Sequence, residues 1–397
     1  MKKLFVFGMA ALLLVAFTVP AMAEVKIGGI IFTDFYYIDR DKENNAFYAG
    51  APRNNSYTNT AIQVPNITRL YARWTNEDNV GMYIEFGLGQ GGGGIDMSSS
   101  DNQNSAVIRH AYGWWDVNPM FQIMAGHSTT PFSPLNPSQL LGTRSGSVNI
   151  IGVGYGDYYA GRFAQVRGTF KFGKTVRLEI AAVDPNGTMV AGEFYPTGYE
   201  ENNTMIPRFD IALPLFLGPV HIFPGFLWQR RGVDGVTPGV DDNITTWIGS
   251  LGFKLGFGPF GFMAEGNYGE NWGNTRGLAG TSAPARIASA MVKNNGNINN
   301  GETYSFWFDL YYKFGPITPH LMYGQMKTKN KYGLGGPDVS MEAKSQMFGI
   351  SVPIDLAKGF RIRPELMWYD DGDLKDGGVS TDLGKYAIYG VQFQITF

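Results

Sequence analysis

Few residues of this chain are of the kinds that catalyse, and most of those with chemistry in them are charged side chains at alternating positions. The 397 residues include four histidines and no cysteine. The lack of cysteine excludes a disulfide framework, a thiolate metal site and a thiol nucleophile. His110, His127, His221 and His320 are scattered, with no spacing that makes a triad or a metal centre. Residues 90–94, Gln followed by four Gly, lack the G-K-[ST] ending of a phosphate cradle and precede no helical pattern. A net charge of −2 offers no basic stripe to nucleic acid. These observations predict no enzyme, cofactor, metal or nucleic-acid partner.

The elements that position the charges are short alternating runs. Near the C-terminus, Tyr389, Val391, Phe393, Ile395 and Phe397 alternate with Gly390, Gln392, Gln394 and Thr396. A period of two is the pleat of a strand with one apolar face. Tyr304, Phe306, Phe308 and Leu310 oppose Ser305, Trp307, Asp309 and Tyr311, while Ile362, Pro364 and Leu366 oppose Arg361, Arg363 and Glu365. Aromatics make up 14% of the chain, charges only 17%, and mean hydropathy is −0.13, which suits a wall that is greasy outside and polar inside.

Sixteen such runs lie near 25–38, 66–76, 80–88, 106–116, 119–127, 160–171, 175–184, 205–213, 220–230, 243–256, 260–269, 302–314, 317–327, 341–354, 360–370 and 383–397. Most reach the ~9–11 residues that cross a bilayer at a tilt. Their connections alternate between short turns and long Gly-, Asn-, Ser- and Asp-rich loops at 39–65, 89–105, 128–159, 185–204, 231–242, 270–301, 328–340 and 371–382. The pattern predicts an all-β, antiparallel, up-and-down transmembrane barrel. Short turns would face the periplasm and long loops the outside, leaving both termini periplasmic. Residues 1–23 carry Lys2, Lys3, an apolar stretch and Ala21-Met22-Ala23, the pattern of a cleaved export signal. The barrel would then occupy 24–397.

Several segments resemble the general porins of Gram-negative outer membranes. Thr68-Arg69-Leu70-Tyr71-Ala72-Arg73-Trp74 and Asn76-Glu77-Asp78-Asn79-Val80 are similar to that family's second strand and acidic turn. Ile108-Arg109-His110-Ala111-Tyr112-Gly113 resembles its fourth strand, and Ala125-Gly126-His127-Ser128-Thr129-Thr130-Pro131-Phe132 its fifth strand entering the third loop. Gly161-Arg162-Phe163 is similar to the return from that loop, and Phe397 matches the family's end residue. The resemblance is at residue level over 66–170 and architectural beyond. It implies a trimeric, sixteen-stranded barrel, narrowed by a third loop (128–159) folded into the lumen, and a terminal strand (Tyr389, Val391, Phe393, Ile395, Phe397) recognised by the barrel-assembly machinery. It also implies contact with membrane lipids and lipopolysaccharide, in the outer membrane, and passive diffusion of small polar solutes and ions.

By parity the lumen receives Lys26, Arg69, Arg73, Arg109, Arg177, Arg208, Lys254, Lys313, Arg361 and Arg363, with Asp34, Glu85, Glu179, Asp210, Glu265, Asp309 and Glu365. Arg177 with Glu179, and Arg208 with Asp210, are positioned to pair and merely stiffen the wall. Arg69, Arg109 and Arg162 match the family's basic cluster, although Arg162 has lipid-facing parity unless a loop or bulge intervenes, and Arg167 competes with it. His110 shares the parity of Tyr112, toward lipid. Of the constriction-loop candidates His127, Pro131 and Arg144, none is acidic, and no Asp or Glu occurs from His127 to Gly156. We therefore expect weak anion preference or little selectivity. A substrate-selective channel for a sugar, organic acid or other anion is the alternative, since Tyr36, Tyr83, Trp307, Tyr311 and Tyr369 have inward parity. A partner-binding barrel is a third class. An N-terminal plug has no room, because strand signals begin at Val25.

Overall fold

The computed structural model describes residues 24–49, 55–65, 67–89, 105–138, 152, 154–185, 200–202, 206–234, 243–275, 282–292, 297–332 and 338–397. The proposed signal at 1–23 and Arg144 lie outside these residues. Sixteen antiparallel strands close into one barrel. They are β1 (Glu24–Arg40), β2 (Tyr57–Gln63 with Arg69–Thr75), β3 (Val80–Gly89), β4 (Ser105–Asn118) and β5 (Phe121–Thr129). Then come β6 (Arg162–Phe172), β7 (Val176–Val183), β8 (Glu200–Asn202, Arg208–Ala212 and Leu215–Leu217), β9 (Val220–Asp234), β10 (Asn243–Phe257) and β11 (Phe260–Glu270). β12 (Glu302–Tyr312), β13 (His320–Tyr332), β14 (Val339–Ser351 with Ile354–Ala357), β15 (Phe360–Asp370) and β16 (Lys385–Thr396) complete it. Closure runs along β1 and β16, from Ile30 opposite Thr396 to Arg40 opposite Tyr386. Every strand thereby gains two neighbours, which removes the unpaired edge that lipid does not tolerate.

The interruptions have a local cause. β2 breaks at Pro65, β8 at Pro214 and β14 at Pro353, each a residue without an N–H to give to the ladder. At the first break the Thr68 hydroxyl accepts the Phe32 N–H at 3.0 Å, so the gap in the ladder is patched. Short turns reverse the chain on residues in the left-handed region, as at Gly258 (φ 57) and Gly315 (φ 57), each followed by proline.

Three expected loops turn out shorter. β1 runs to Arg40 and β2 starts at Tyr57, so the 39–65 loop shrinks to a connection containing helix α1 (Lys42–Ala49). The 328–340 loop is partly strand, because β13 extends to Tyr332. The 371–382 loop is largely a hairpin, Asp373–Asp376 against Val379–Asp382, that lengthens β15 and β16. Polar composition concealed these extensions, since they stand clear of the apolar band and need no greasy face.

The outer face is apolar. Ile27, Ile31, Phe35, Leu366, Trp368, Tyr389, Phe393, Ile395 and Phe397 are exposed there, the last four together with Val391 on one side of the terminal strand. The interior is less polar than alternation suggests. Tyr36, Ile38, Met322, Met347, Met367, Tyr369, Tyr386 and Ile388 project inward and form a core with Tyr155 of the third loop. A second core joins Phe132 and Tyr158 of that loop to Leu227, Ile248 and Met326 of the wall, with Trp272 and helix α2 (Ala283–Arg286) from the loop after β11. Two loops therefore fill one side of the barrel.

Candidate solute pathway

On β8 to β16 and β1, the inward Asp34, Arg208, Asp210, Glu265, Asp309, Arg363 and Glu365 are buried rather than on an open surface. Arg208 and Asp210 are two residues apart on one face and form a bidentate ion pair of 2.9 and 2.7 Å, both side chains almost wholly buried. The Phe163 ring lies 4.5 Å from that guanidinium. Glu265 accepts the Ser133 hydroxyl of the third loop. Asp309 accepts the Ser138 amide at 2.9 Å and faces His320 at 2.8 Å, and Arg363 donates to the Ser138 carbonyl at 2.6 Å. Glu365 sits 3.8 Å from Arg363 and accepts from Ser351 at 2.8 Å. The wall carboxylates thus anchor a loop that has few charges of its own.

Asp157, one residue past the stretch without acids, is fully buried on the loop's return. Burial, with the Glu265 carboxylate nearby, raises its pKa well above the usual carboxylate range, although Trp307 opposes that shift. Pro131 is buried at the loop's entry.

On the wall from β2 to β7 the inward charged side chains, Glu85 excepted, are half-buried or exposed. Directly paired residues share a face, so Arg69 with Gly87, Tyr71 with Glu85, and Arg73 with Tyr83 all point inward alongside Lys26. Glu85 is the hub: Arg109 reaches it at 2.7 Å, Arg69 at 3.6 Å and the Tyr83 hydroxyl at 2.7 Å. Glu179 pairs with Arg167 at 3.4 Å, not with Arg177, whose guanidinium instead lies 4.9 Å from the Phe216 ring. Lys171 holds Asp116 at 2.7 Å. At the turn end of the barrel, Arg361 grips Asp355 through bonds of 2.6 and 3.1 Å, while Lys313 is exposed.

One bulge changes which residues face the lumen. The β3–β4 register slips between Glu85 and Phe86, leaving Arg109 as the extra residue and placing both Arg109 and His110 on the inner side. His110, Tyr112 and Trp114 therefore face the lumen opposite Glu85, Tyr83 and Gly81, and the lipid-facing expectation for His110 and Tyr112 is wrong. His127, paired with Ala111, lies in β5 on the outward side and not in the third loop. Arg162 starts β6 with outward parity, paired with Thr129, yet its Nε donates to His110 Nε2 at 3.0 Å. Of the expected inward aromatics, Tyr36, Trp307 and Tyr369 are buried, whereas Tyr83 is half-exposed.

A closed sixteen-stranded barrel, with long loops at one rim and one of them packed inside, is the architecture of outer-membrane porins. No family model matches the sequence, and no curated protein matches it. Solved structures do. The outer membrane channel DcaP of Acinetobacter baumannii superposes with a TM-score of 0.67 at 18% identity, over 96% of this chain and 99% of that one. The anion-selective porin from Comamonas acidovorans matches with a TM-score of 0.57 at 12% identity, over 94% and 100%. Salmonella typhi OmpF, in complex with daunomycin, matches with a TM-score of 0.53 at 11% identity, over 94% and 97%. At such identities the likeness establishes the fold.

Proposed function

We propose that this chain is an outer-membrane porin, a water-filled channel for passive diffusion of small polar solutes and ions with a weak preference for anions. The observation that carries the reading is the uncovered wall. On β2 to β7 the inward cations Arg69, Arg73, Arg109, Arg167, Lys171 and Arg177 outnumber Glu85, Asp116 and Glu179. Charges of both signs around water favour polar over lipophilic solutes, and the excess sign sets the preferred ion. The likeness to a porin named as anion-selective points the same way.

The pore-lining set then includes Arg69, Arg73, Glu85, Arg109, Arg177 and Glu179 together with Arg167, Lys171 and Asp116, with the guanidinium of Arg162 beside them; Arg208, Asp210, Glu265, Asp309, Arg363 and Glu365 brace the covered side. Arg361 and Lys313 stand near the periplasmic mouth. In this reading residues 1–23 are removed on export, both termini are periplasmic, and the terminal strand engages the barrel-assembly machinery. Lipid and lipopolysaccharide contact the greasy face, and three copies associate. The chain passes solutes without transforming them.

Reversal potentials of the refolded protein in a potassium chloride gradient test the reading. Ohmic steps with chloride modestly favoured are expected; clear cation selectivity would sink the anion preference, and folded protein without conductance would sink the channel. A substrate-selective channel is the second reading, favoured by half-exposed aromatic rings on the open wall.

A further inference from the structure

Four aromatic side chains lie edge to edge on the open wall. Ring centroids are 5.8 Å apart from Tyr71 to Tyr83, 5.6 Å from Tyr83 to Tyr112 and 6.0 Å from Tyr112 to Trp114. All four are half-buried and face inward. The outward Tyr268, Tyr304, Trp368 and Tyr389 have the interfacial girdle to explain them, but an inward patch does not.

The rings lie against the wall because glycines leave room for them. A Cβ on Gly28 would collide with the Tyr71 ring, and one on Gly81 with the Trp114 ring. Each of these two rings covers backbone on one side. A ring laid on the backbone turns its other π-face to the lumen, and on Trp114 the Arg73 guanidinium lies over the ring.

Glu85 accepts the Tyr83 hydroxyl at 2.7 Å, but Arg109 and Arg69 pair with it, so the charge at the patch is net positive. The Arg73 guanidinium lies 5.0 Å from the Trp114 ring, and Lys26 is its direct neighbour across the β1–β2 ladder. Among the described residues Arg73 has no carboxylate partner, in contrast to Arg69 and Arg109, which Glu85 occupies. A guanidinium stacked on an indole keeps its N–H fork free for a carboxylate. A neutral sugar would use the rings without the charge, and a small inorganic anion the charge without the rings.

We propose that Tyr71, Tyr83, Tyr112, Trp114 and Arg73 form a binding subsite for carboxylates that carry a flat ring. The inference rests on the porin reading, since it places the patch in the solute's path.

The test compares benzoate, cyclohexanecarboxylate and acetate as blockers of chloride current in planar bilayers, each normalised to the current of the same variant without blocker. Calorimetric titration of the folded protein in detergent with the same three anions runs beside it. Benzoate should block saturably at a concentration about tenfold below acetate and several-fold below cyclohexanecarboxylate, the margin that ring stacking adds to a shared carboxylate. Tyr83→Leu should erase the margin of benzoate over cyclohexanecarboxylate, and Arg73→Gln should weaken all three anions. Equal block by benzoate and acetate, or block unaltered in both variants, overturns the subsite while leaving the channel intact. Calorimetric binding with this variant dependence in a folded protein that does not conduct supports the subsite and overturns the porin reading. Neither conductance nor binding overturns both.

Discussion

The two sides of the barrel begin from the same rule and end differently. On β2 to β7 and on β8 to β16, alternate side chains point inward, and both inner faces carry arginines, acids and aromatics. On the first side Tyr83 and Arg73 remain accessible; on the second Trp307, Tyr369, Arg208 and Asp210 are buried beneath two loops. Facing the lumen and lining the pathway are therefore separate properties. The first follows from the pleat, and the second depends on where the loops pack.

The largest consequence concerns stability. Arg208→Ala would leave Asp210 buried without its partner, at a cost of about 3–5 kcal/mol. The matched change on the open wall, Arg177→Ala, should stay near about 0.5 kcal/mol because that residue is exposed. Urea unfolding midpoints in detergent micelles compare the two, and equal shifts would erase the distinction between the walls.

Selectivity should show the reverse order. Arg73→Gln with Arg177→Gln should move the reversal potential toward potassium, while Arg208→Gln should leave it nearly unchanged in whatever fraction folds. A larger shift from Arg208 would place that residue in the pathway.

A third effect concerns the loop that creates the difference. Asp309→Ala removes the acceptor of the Ser138 amide and should increase current noise by loosening the third loop, where Arg109→Ala on the open wall should not. Noise spectra at fixed voltage compare them.

The smallest effect is a pH dependence. Asp157 has a raised pKa in the folded protein, so its buried, protonated form favours the packed loop at acid pH. That contribution declines as pH rises from the ordinary aspartate range toward the raised value, because the unfolded state ionises first. Current noise should increase across this window in the parent protein and stay level in Asp157→Asn.

Much of this was legible in the residues. Strand β12 reads correctly from Thr303 to Leu310, with Trp307 and Asp309 inward, because alternation is local and nothing interrupts it. β4 departs from its own alternation beyond one residue. Up to Ile108 the alternation predicts the faces, but the bulge at Arg109 reverses parity, so His110, Tyr112 and Trp114 turn inward against the pattern. A bulge is a property of two paired strands, and the sequence of one strand does not report it. The aromatic patch is hidden in the sequence for that reason, although Tyr71 shares the parity of Arg69 and Arg73.

The sequence by itself determined the barrel. A two-residue period, glycine–proline turns and loops alternating short and long leave few other ways to satisfy every backbone group in a lipid phase. Only the tertiary structure decided which interior residues meet the lumen. Phe132, Tyr155 and Tyr158 follow no period, and their destination depends on apolar surfaces such as Leu227, Ile248 and Met347, about 70 to 190 residues away along the chain. Burial of this kind is set by packing between distant segments, which the local alternation of a strand does not encode.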